Sequence, residues 1–256
     1  MKNLIISVVG DESLHPHWVK GNKQFHTYLI YYGAHKDKYK DDCDFYLQKP
    51  GSKYFLYYDL IKESPDFFWE YDAVFMPDDD LYLTTEDLNK LFSMFHNPPP
   101  LRENGLSPKL HLAQPSIVGW YSLWITLHDS NYVYRLTNFV EIMCPIFSRY
   151  ALQLLWPTFN ATKSSWGLDM IWDYELGHPR NKIAIFDDVI AIHTREVKSG
   201  DLYKNHTTHN PFDDLKLVGE KYGLPVHELT VYDGKKKHKD HTYFHSPAIK
   251  DAFKIT

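Results

Sequence analysis

The chain has 256 residues, of which 43% are hydrophobic, 16% aromatic and 24% charged, so it is long enough for one large domain with a substantial core. Its formal net charge of −5 argues against nucleic acid as a partner, and its two cysteines are too few for a disulfide framework. The sequence shows no secretory signal and no apolar run near the roughly 20 residues that span a bilayer, so we expect a cytoplasmic protein without an integral membrane segment.

Short apolar runs alternate with amphipathic segments in the first part of the chain. Residues 4–10 and 27–33 are apolar, end in glycine, and predict two buried strands. Residues 52–65 predict a helix that begins near a serine cap and stops before a proline. Residues 72–77 predict another strand, and residues 84–96 predict an amphipathic helix with a capping box.

The second part of the chain continues the alternation after a proline-rich loop. We predict strands at residues 138–148 and 182–196, and helices at residues 149–159, 166–177 and 211–223. The whole pattern predicts an α/β fold, in which helices flank a mostly parallel sheet. We expect residues 1–223 to form a single domain and residues 224–256 to form a tail that closes over the site.

Three consecutive aspartates, Asp78, Asp79 and Asp80, follow the strand predicted at residues 72–77. Ligands of open α/β sheets bind beyond the carboxyl ends of the strands. Because side chains alternate along a strand, Asp78 and Asp80 share one face and Asp79 points to the other. Two carboxylates on one face suit a hard divalent cation. The alternative is a solvated acidic turn that caps the next helix.

Two chemistries place an aspartate pair at this position. A haloacid-dehalogenase phosphatase needs a second acidic pair on a later strand, and residues 183–188, "IAIFDD", supply one. A GT-A glycosyltransferase uses a D-x-D element to hold a metal against a nucleotide-sugar diphosphate. Position favours the second chemistry, because a phosphatase carries its nucleophile on its first strand, whereas these aspartates follow 77 earlier residues. His193, just past a late apolar run, is a further candidate ligand.

Four segments together resemble a known family. Residues 71–88, 139–149, 165–170 and 183–194 are similar to an uncharacterised family labelled lysine-ketoglutarate-reductase trans-splicing related, whose core is GT-A-like. The resemblance covers most of residues 1–197. It implies a GT-A-like, Rossmann-related fold with a mixed, mostly parallel sheet flanked by helices.

The resemblance also implies roles for individual residues. Asp78 and Asp80 would contact the ribose and the metal, with His193 completing the metal site and Asp79 assisting. Asp169, in the motif "WGLD", matches the catalytic base of inverting GT-A enzymes. Residues that would shape the donor and sugar pocket are Trp166 and Gly167.

Three acidic residues are weaker candidates. Asp11 follows the first strand, where a nucleoside would lie in this fold. Glu141 is charged within an apolar run, so it needs a partner, which is either an acceptor substrate or an arginine such as Arg135 or Arg149. Asp173 lies one turn after the predicted base and either binds an acceptor hydroxyl or faces water.

The function predicted from these residues is transfer of a sugar from a nucleotide-sugar donor, with a UDP-sugar favoured, to a glycan or small-molecule hydroxyl. Mn²⁺ or Mg²⁺ would be the cofactor. We expect the base to be ionised at neutral pH, because it lies at a helix N-terminus. The alternatives are a haloacid-dehalogenase-type phosphatase and a non-catalytic carbohydrate- or nucleotide-binding protein.

Overall fold

Ten strands form one mixed sheet in the computed structural model of the chain, which describes residues 1–103, 105–121, 123–196, 211–223 and 228–237. The strands are Asn3–Val9 (β1), His26–Tyr31 (β2), Phe45–Gln48 (β3), Ala73–Phe75 (β4), Leu81–Tyr82 (β5), Leu112–Gly119 (β6), Tyr132–Thr137 (β7), Ile146–Ser148 (β8), Ile183–His193 (β9) and Val231–Lys236 (β10). The helices are His15–Trp18 (α1), Lys53–Glu63 (α2), Pro65–Trp69 (α3), Thr85–His96 (α4), Arg149–Leu155 (α5), Leu168–Glu175 (α6) and Pro211–Tyr222 (α7). None of these helices is long and apolar enough to cross a membrane.

The strands follow the order β10-β7-β9-β6-β8-β4-β1-β2-β3, and β5 pairs with β9 outside this path. Strands β7, β8 and β5 run antiparallel to their neighbours, and the remaining strands share one direction. The segment β3-β2-β1-β4 has the strand order of one half of a Rossmann sheet. The predicted fold class, a mixed and mostly parallel sheet flanked by helices, is confirmed.

Alternating side chains of the central strands build a core on each face of the sheet. In β1, Ile5 packs in one cluster with the apolar face of α4, whereas Leu4 and Ile6 pack in the other with α2, α5 and α6. The predicted capping box starts α4: the Asp87 backbone N–H donates to Thr84 Oγ1 at 3.1 Å, and the Thr84 N–H donates to Asp87 Oδ2 at 3.0 Å. Two apolar layers therefore fix the sheet between helices.

The strand predicted at residues 138–148 is wrong for most of its length. Only Ile146–Ser148 is a strand, and residues 138–145 form an irregular segment. The carbonyls of this segment are used elsewhere: Met143 O accepts from the Asp78 N–H at 2.7 Å, and Pro145 O accepts from the Met76 N–H at 2.9 Å. The segment therefore satisfies the backbone beyond β4 instead of extending β8.

The part of the chain that we assigned to a tail, residues 224–256, contributes to the sheet. Val231–Lys236 forms the edge strand β10 against β7. The basic and histidine-rich residues 238–245 lie outside the described residues.

The topology gathers several chain segments at one edge of the sheet. The parallel strands β1, β4, β6 and β9 all end there, and the antiparallel strand β8 begins there. Ligands of open α/β sheets bind at this edge. The three aspartates follow β4, so the fold places them where the sequence predicts a site.

Candidate functional site

The three aspartates lie in the turn that joins β4 to β5. The short strand β5 pairs antiparallel with the end of β9, and Leu81 is the partner of His193. Thr194 reinforces this pairing, since its N–H and its hydroxyl both donate to Asp80 O, at 3.2 and 2.8 Å. This register brings Asp80 beside His193, as the sequence predicts.

The Asp80–His193 pair is largely removed from solvent but incompletely hydrogen-bonded. Asp80 Oδ2 lies 3.4 Å from His193 Nε2, and the two side chains are 16% and 7% exposed. The other carboxylate oxygen, Asp80 Oδ1, is buried and has no hydrogen-bond partner among the described residues. A buried oxygen of this kind costs free energy unless a ligand or a cation satisfies it.

A main-chain carbonyl orients the His193 ring. His193 Nδ1 lies 2.7 Å from Trp120 O, and because a carbonyl only accepts, Nδ1 carries the proton. The Nε2 atom therefore faces Asp80. Burial alone lowers the pKa of His193, but the hydrogen bond and the charge of Asp80 outweigh burial and raise it above its ordinary value.

Gly119 allows this close approach of two chain segments. It has a φ of +91°, and a Cβ added there would lie 2.5 Å from His193 O. Any other residue at position 119 would both strain the backbone and push β9 away from β6. Sequence reasoning missed this glycine, which ends β6 one residue before the carbonyl that holds the imidazole.

Asp78 is held by Lys53, a residue that the sequence analysis did not single out. Lys53 Nζ lies 2.7 Å from Asp78 Oδ1, 2.9 Å from Ile142 O and 3.2 Å from Met143 O. These three acceptors match the three N–H groups of an ammonium. Lys53 therefore joins the aspartate turn to the irregular segment before β8.

Asp79 ties the turn to the end of β1. Its Oδ2 accepts from the Gly10 N–H at 2.7 Å, and its backbone carbonyl accepts from the Leu14 N–H at 2.7 Å. Removal from solvent raises the pKa of Asp79 to about 6, although the Gly10 N–H opposes the shift. Arg195, a second residue that we missed, places Nη1 3.7 Å from Asp79 Oδ1. Its position two residues after His193 is the sequence feature that could have identified it.

Asp169 and Glu141 form a second acidic group on the other side of the irregular segment. Asp169 lies in the first turn of α6 and accepts from the Ile142 N–H at 3.4 Å. Removal from solvent and then the charge of Glu141 raise the pKa of Asp169 to about 7. The expectation of a fully ionised base at neutral pH is therefore wrong, because these effects outweigh the N-terminus of the helix.

The two acidic groups contact the same short segment. Lys53 Nζ donates to the carbonyls of Ile142 and Met143, the Asp78 N–H donates to Met143 O, and Asp169 accepts from the N–H of Ile142. Glu141, only 5% exposed, adds a second carboxylate that the motif around Asp169 lacks. The two arginines considered as its partners are engaged elsewhere, Arg149 with Asp72 and Arg135 with Asp187.

The remaining predicted site residues lie in two places. Asp11 follows β1 and is bound by Tyr31 Oη at 2.6 Å and Lys38 Nζ at 2.8 Å; the hydrogen bond from Lys38 is the main cause of its lowered pKa. Near α6, the Trp166 ring packs edge-on against Phe212 of α7, and a Cβ on Gly167 would lie 3.1 Å from Val218. Asp173 is buried, with Oδ2 2.7 Å from His178 Nδ1.

Within the described residues, no group of three His, Cys, Asp or Glu side chains is arranged to hold a metal ion. Asp80 and His193 nevertheless offer an unsatisfied carboxylate oxygen and an oriented imidazole nitrogen. Mn²⁺ and Mg²⁺ are commonly bound by one or two side chains together with substrate phosphates. The pair therefore fits a cation that takes its remaining ligands from a bound diphosphate.

The acidic pair required by the phosphatase alternative is used for structure. Asp187 lies at a bulge within β9 and forms an ion pair with Arg135 at 2.8 Å, and Asp188 pairs with Lys237 at 2.9 Å. Phe186 and His193 pair with Pro115 and Gly119 of β6, so with the bulge this part of β9 covers only about four residue steps, roughly 13 Å. Both acids of the second pair are bound to basic side chains away from the aspartate turn, and the phosphatase alternative loses its support.

Comparison with family models gives one match, between residues 127–240 and a family described as a protein of unknown function, DUF707. Comparison with curated proteins gives no match. The trans-splicing label suggested by the sequence stays a prediction.

Solved structures similar to this chain include glycosyltransferases. A candidate nucleotide-diphospho-sugar transferase from Desulfovibrio desulfuricans G20 is 12% identical, with 87% of this chain and 96% of that chain covered and a TM-score of 0.43. Residues 1–349 of S. aureus TarS are 11% identical, with 86% and 70% covered and a TM-score of 0.44. A glycosyltransferase involved in glycosylation of the major capsid of PBCV-1 is 11% identical, with 86% and 100% covered and a TM-score of 0.39.

Proposed function

We propose that this chain is a metal-dependent glycosyltransferase, which moves a sugar from a nucleotide-sugar donor to an acceptor hydroxyl. The observation that carries the proposal is the Asp80–His193 pair at the carboxyl edge of the sheet, in which a buried carboxylate oxygen has no partner among the described residues. A buried polar atom without a hydrogen bond destabilises the folded protein, so we take this oxygen as the sign of a functional site.

Asp80 and His193 would hold Mn²⁺, or Mg²⁺, against the donor diphosphate. A bound divalent cation offsets the negative charge that grows on the departing diphosphate. The nitrogen ligand favours Mn²⁺ over Mg²⁺. Arg195 is 27% exposed on its side chain and lies beside the turn, where Nη2 donates to Glu12 O at 2.8 Å; its remaining N–H groups would bind a phosphate oxygen.

The donor, for which a UDP-sugar is favoured, would extend from the aspartate turn toward the end of β1. In this arrangement Asp78 would bind the ribose, and Asp11 and Asp79 would border the part of the site that holds the nucleoside. Asp79 acts through the backbone of Gly10, which it holds by a hydrogen bond. Trp166 and Gly167, at the start of α6, would border the sugar.

Asp169 would act as the base. As the acceptor oxygen forms its bond to the anomeric carbon and the bond to the diphosphate breaks, a carboxylate of Asp169 takes the hydroxyl proton. A pKa of about 7 suits a base that works near neutral pH. Glu141 beside it, and Asp173 one turn along α6, would bind other hydroxyls of the acceptor.

The test is thermal unfolding in the presence of Mn²⁺, UDP, or both. We expect a clear rise of the melting temperature only with both, because the diphosphate completes the metal site; ligand at about 100 times its Kd adds about 2.7 kcal/mol. Asp80→Asn should abolish the rise. The matched control, Asp59→Asn, changes an exposed aspartate paired with Lys49 and should retain it. An equal rise in Asp80→Asn would contradict the proposal, and release of phosphate from p-nitrophenyl phosphate would revive the phosphatase.

A further inference from the structure

An exposed group of aromatic side chains follows β6 at the edge of the sheet that carries the candidate site. Trp120, Tyr121 and Trp124, here called the β6 aromatic segment, are 51%, 49% and 56% exposed. Aromatic side chains of this size are usually buried to a greater extent, because each has a large apolar surface. Three exposed aromatic side chains within five positions form an apolar surface of the kind that binds a ligand or a partner.

The first residue of this segment is joined to the candidate metal site. Trp120 O accepts from His193 Nδ1 at 2.7 Å, and the Trp120 N–H donates to His193 O at 3.3 Å. The side chain of Trp120 therefore starts from a main chain that is hydrogen-bonded to His193. Tyr121 and Trp124 follow it within four positions.

The strand order places the segment on the side away from the proposed nucleoside. Strands β4 and β8 lie between β1 and β6, so the ends of β1 and β6 are roughly 14 Å apart at the usual strand spacing. Asp169 contacts the segment that leads into β8, between the aspartate turn and β6. An acceptor that reaches this base from the β6 side would pass the aromatic rings.

We propose that the β6 aromatic segment binds sugar rings of a glycan acceptor, an inference that rests on the proposed glycosyltransferase function. A pyranose ring has an apolar C–H face and a rim of hydroxyls. Stacking that face on an indole removes it from water, and the hydroxyls stay solvated or hydrogen-bonded. Half-exposed rings suit such a ligand, whereas the net charge of −5 disfavours a nucleic acid acceptor.

The experiment is equilibrium binding of neutral hexasaccharides to the full chain without donor. Maltohexaose, cellohexaose, xylohexaose and chitohexaose are titrated by calorimetry. We expect at least one to bind, and Trp120→Ala or Trp124→Ala to weaken that binding about tenfold, the effect of losing one stacked ring. The control Tyr150→Ala removes an aromatic side chain that is 57% exposed and stacks on His111, and it should bind like the wild type.

Two results would overturn the inference. One is no binding of any hexasaccharide by the wild type. The other is binding that both tryptophan variants retain. Concentration-dependent self-association that either variant abolishes, in a chain that binds no hexasaccharide, would make the patch a protein interface instead.

Hydrolysis of UDP-sugars by the same variants separates this inference from the proposed function. Trp124→Ala should hydrolyse the donor at the wild-type rate, because the main-chain carbonyl that orients His193 belongs to Trp120. A wild type that hydrolyses the donor but binds no hexasaccharide would refute the glycan acceptor alone. A wild type that binds hexasaccharides through these rings but neither binds UDP nor hydrolyses its sugars would refute the transferase alone.

Discussion

Strand β9 contributes Asp187 to an ion pair with Arg135 of β7 and His193 to a pair with Asp80, and the two pairs differ in how completely their polar atoms are hydrogen-bonded. In the middle of the strand, Arg135 donates to both oxygens of Asp187, at 2.8 and 2.9 Å, and to the carbonyls of Ile125 and Leu127. Asp187 also accepts from the Asp129 N–H at 2.9 Å. Both carboxylate oxygens of Asp187 therefore accept hydrogen bonds from described residues.

The pair at the end of the strand is different. Asp80 and His193 are 3.4 Å apart, longer than a usual charge-assisted hydrogen bond, and Asp80 Oδ1 has no hydrogen-bond partner among the described residues. An unsatisfied buried group costs about 1–3 kcal/mol. We infer from this difference that the Asp187–Arg135 pair stabilises the fold, and we propose that a ligand completes the Asp80–His193 pair.

The largest expected effect tests the saturated pair. Asp187→Ala leaves Arg135 buried without its counter-charge, so we expect a loss of about 3–5 kcal/mol in the free energy of unfolding, measured in urea. Asp80→Ala removes the unsatisfied Oδ1, which stabilises the fold, and also Oδ2 beside His193, which destabilises it; because the two effects oppose each other, the free energy of unfolding should change by less than about 1 kcal/mol. Equal losses of stability in the two variants would contradict the distinction between the two pairs.

The next effect concerns catalysis. Asp169→Asn should lower the rate of sugar transfer at least about 10²-fold, because an amide cannot take the acceptor proton, and it should leave UDP binding intact. Unchanged turnover would exclude Asp169 as the base.

The pH dependence of the same residue sharpens this test. Since Asp169 has a pKa of about 7, kcat/KM of the wild type should fall as the pH drops below about 7. A raised carboxylate pKa stabilises the fold at acid pH, and this contribution is lost as the pH rises through 7. The melting temperature of Asp169→Asn relative to wild type should therefore rise between pH 4 and pH 8. A difference that stays constant would contradict the raised pKa.

The smallest expected effect concerns Lys53, whose ammonium group has three hydrogen-bond acceptors inside the site. Lys53→Met frees Asp78 and two carbonyls, so we expect KM for the donor to rise about tenfold with a smaller change in kcat. Lys53→Arg should restore part of the loss, because it returns the charge. The control Lys49→Met removes an exposed pair with Asp59 and should have no effect. A kcat loss with unchanged KM would show that Lys53 acts on the base instead.

Features that depend on local pattern were predictable from the sequence. The apolar runs located β1, β2, β4 and β9. The aspartates lie beside the late histidine because they follow β4 and His193 ends β9 at the same edge of the sheet. The capping box of α4 is written in four consecutive residues, Thr84 to Asp87. These signals need no knowledge of distant contacts.

Features that depend on distant partners were missed. Lys53 bonds to carbonyls about 90 residues away in the chain, and nothing near it in the sequence marks that role. The strand predicted at residues 138–148 failed for the same reason, because other segments use its backbone groups. The ionisation of Asp169 was misjudged because burial in the folded chain, and then the charge of Glu141, 28 residues earlier, raise its pKa.

The most direct measurement is a crystal structure of the chain grown with Mn²⁺ and UDP, with anomalous data collected to locate manganese. We predict one manganese ion bonded to Asp80 Oδ1, His193 Nε2 and the UDP diphosphate. Manganese and UDP bound elsewhere, with the Asp80–His193 contact unchanged, would contradict it.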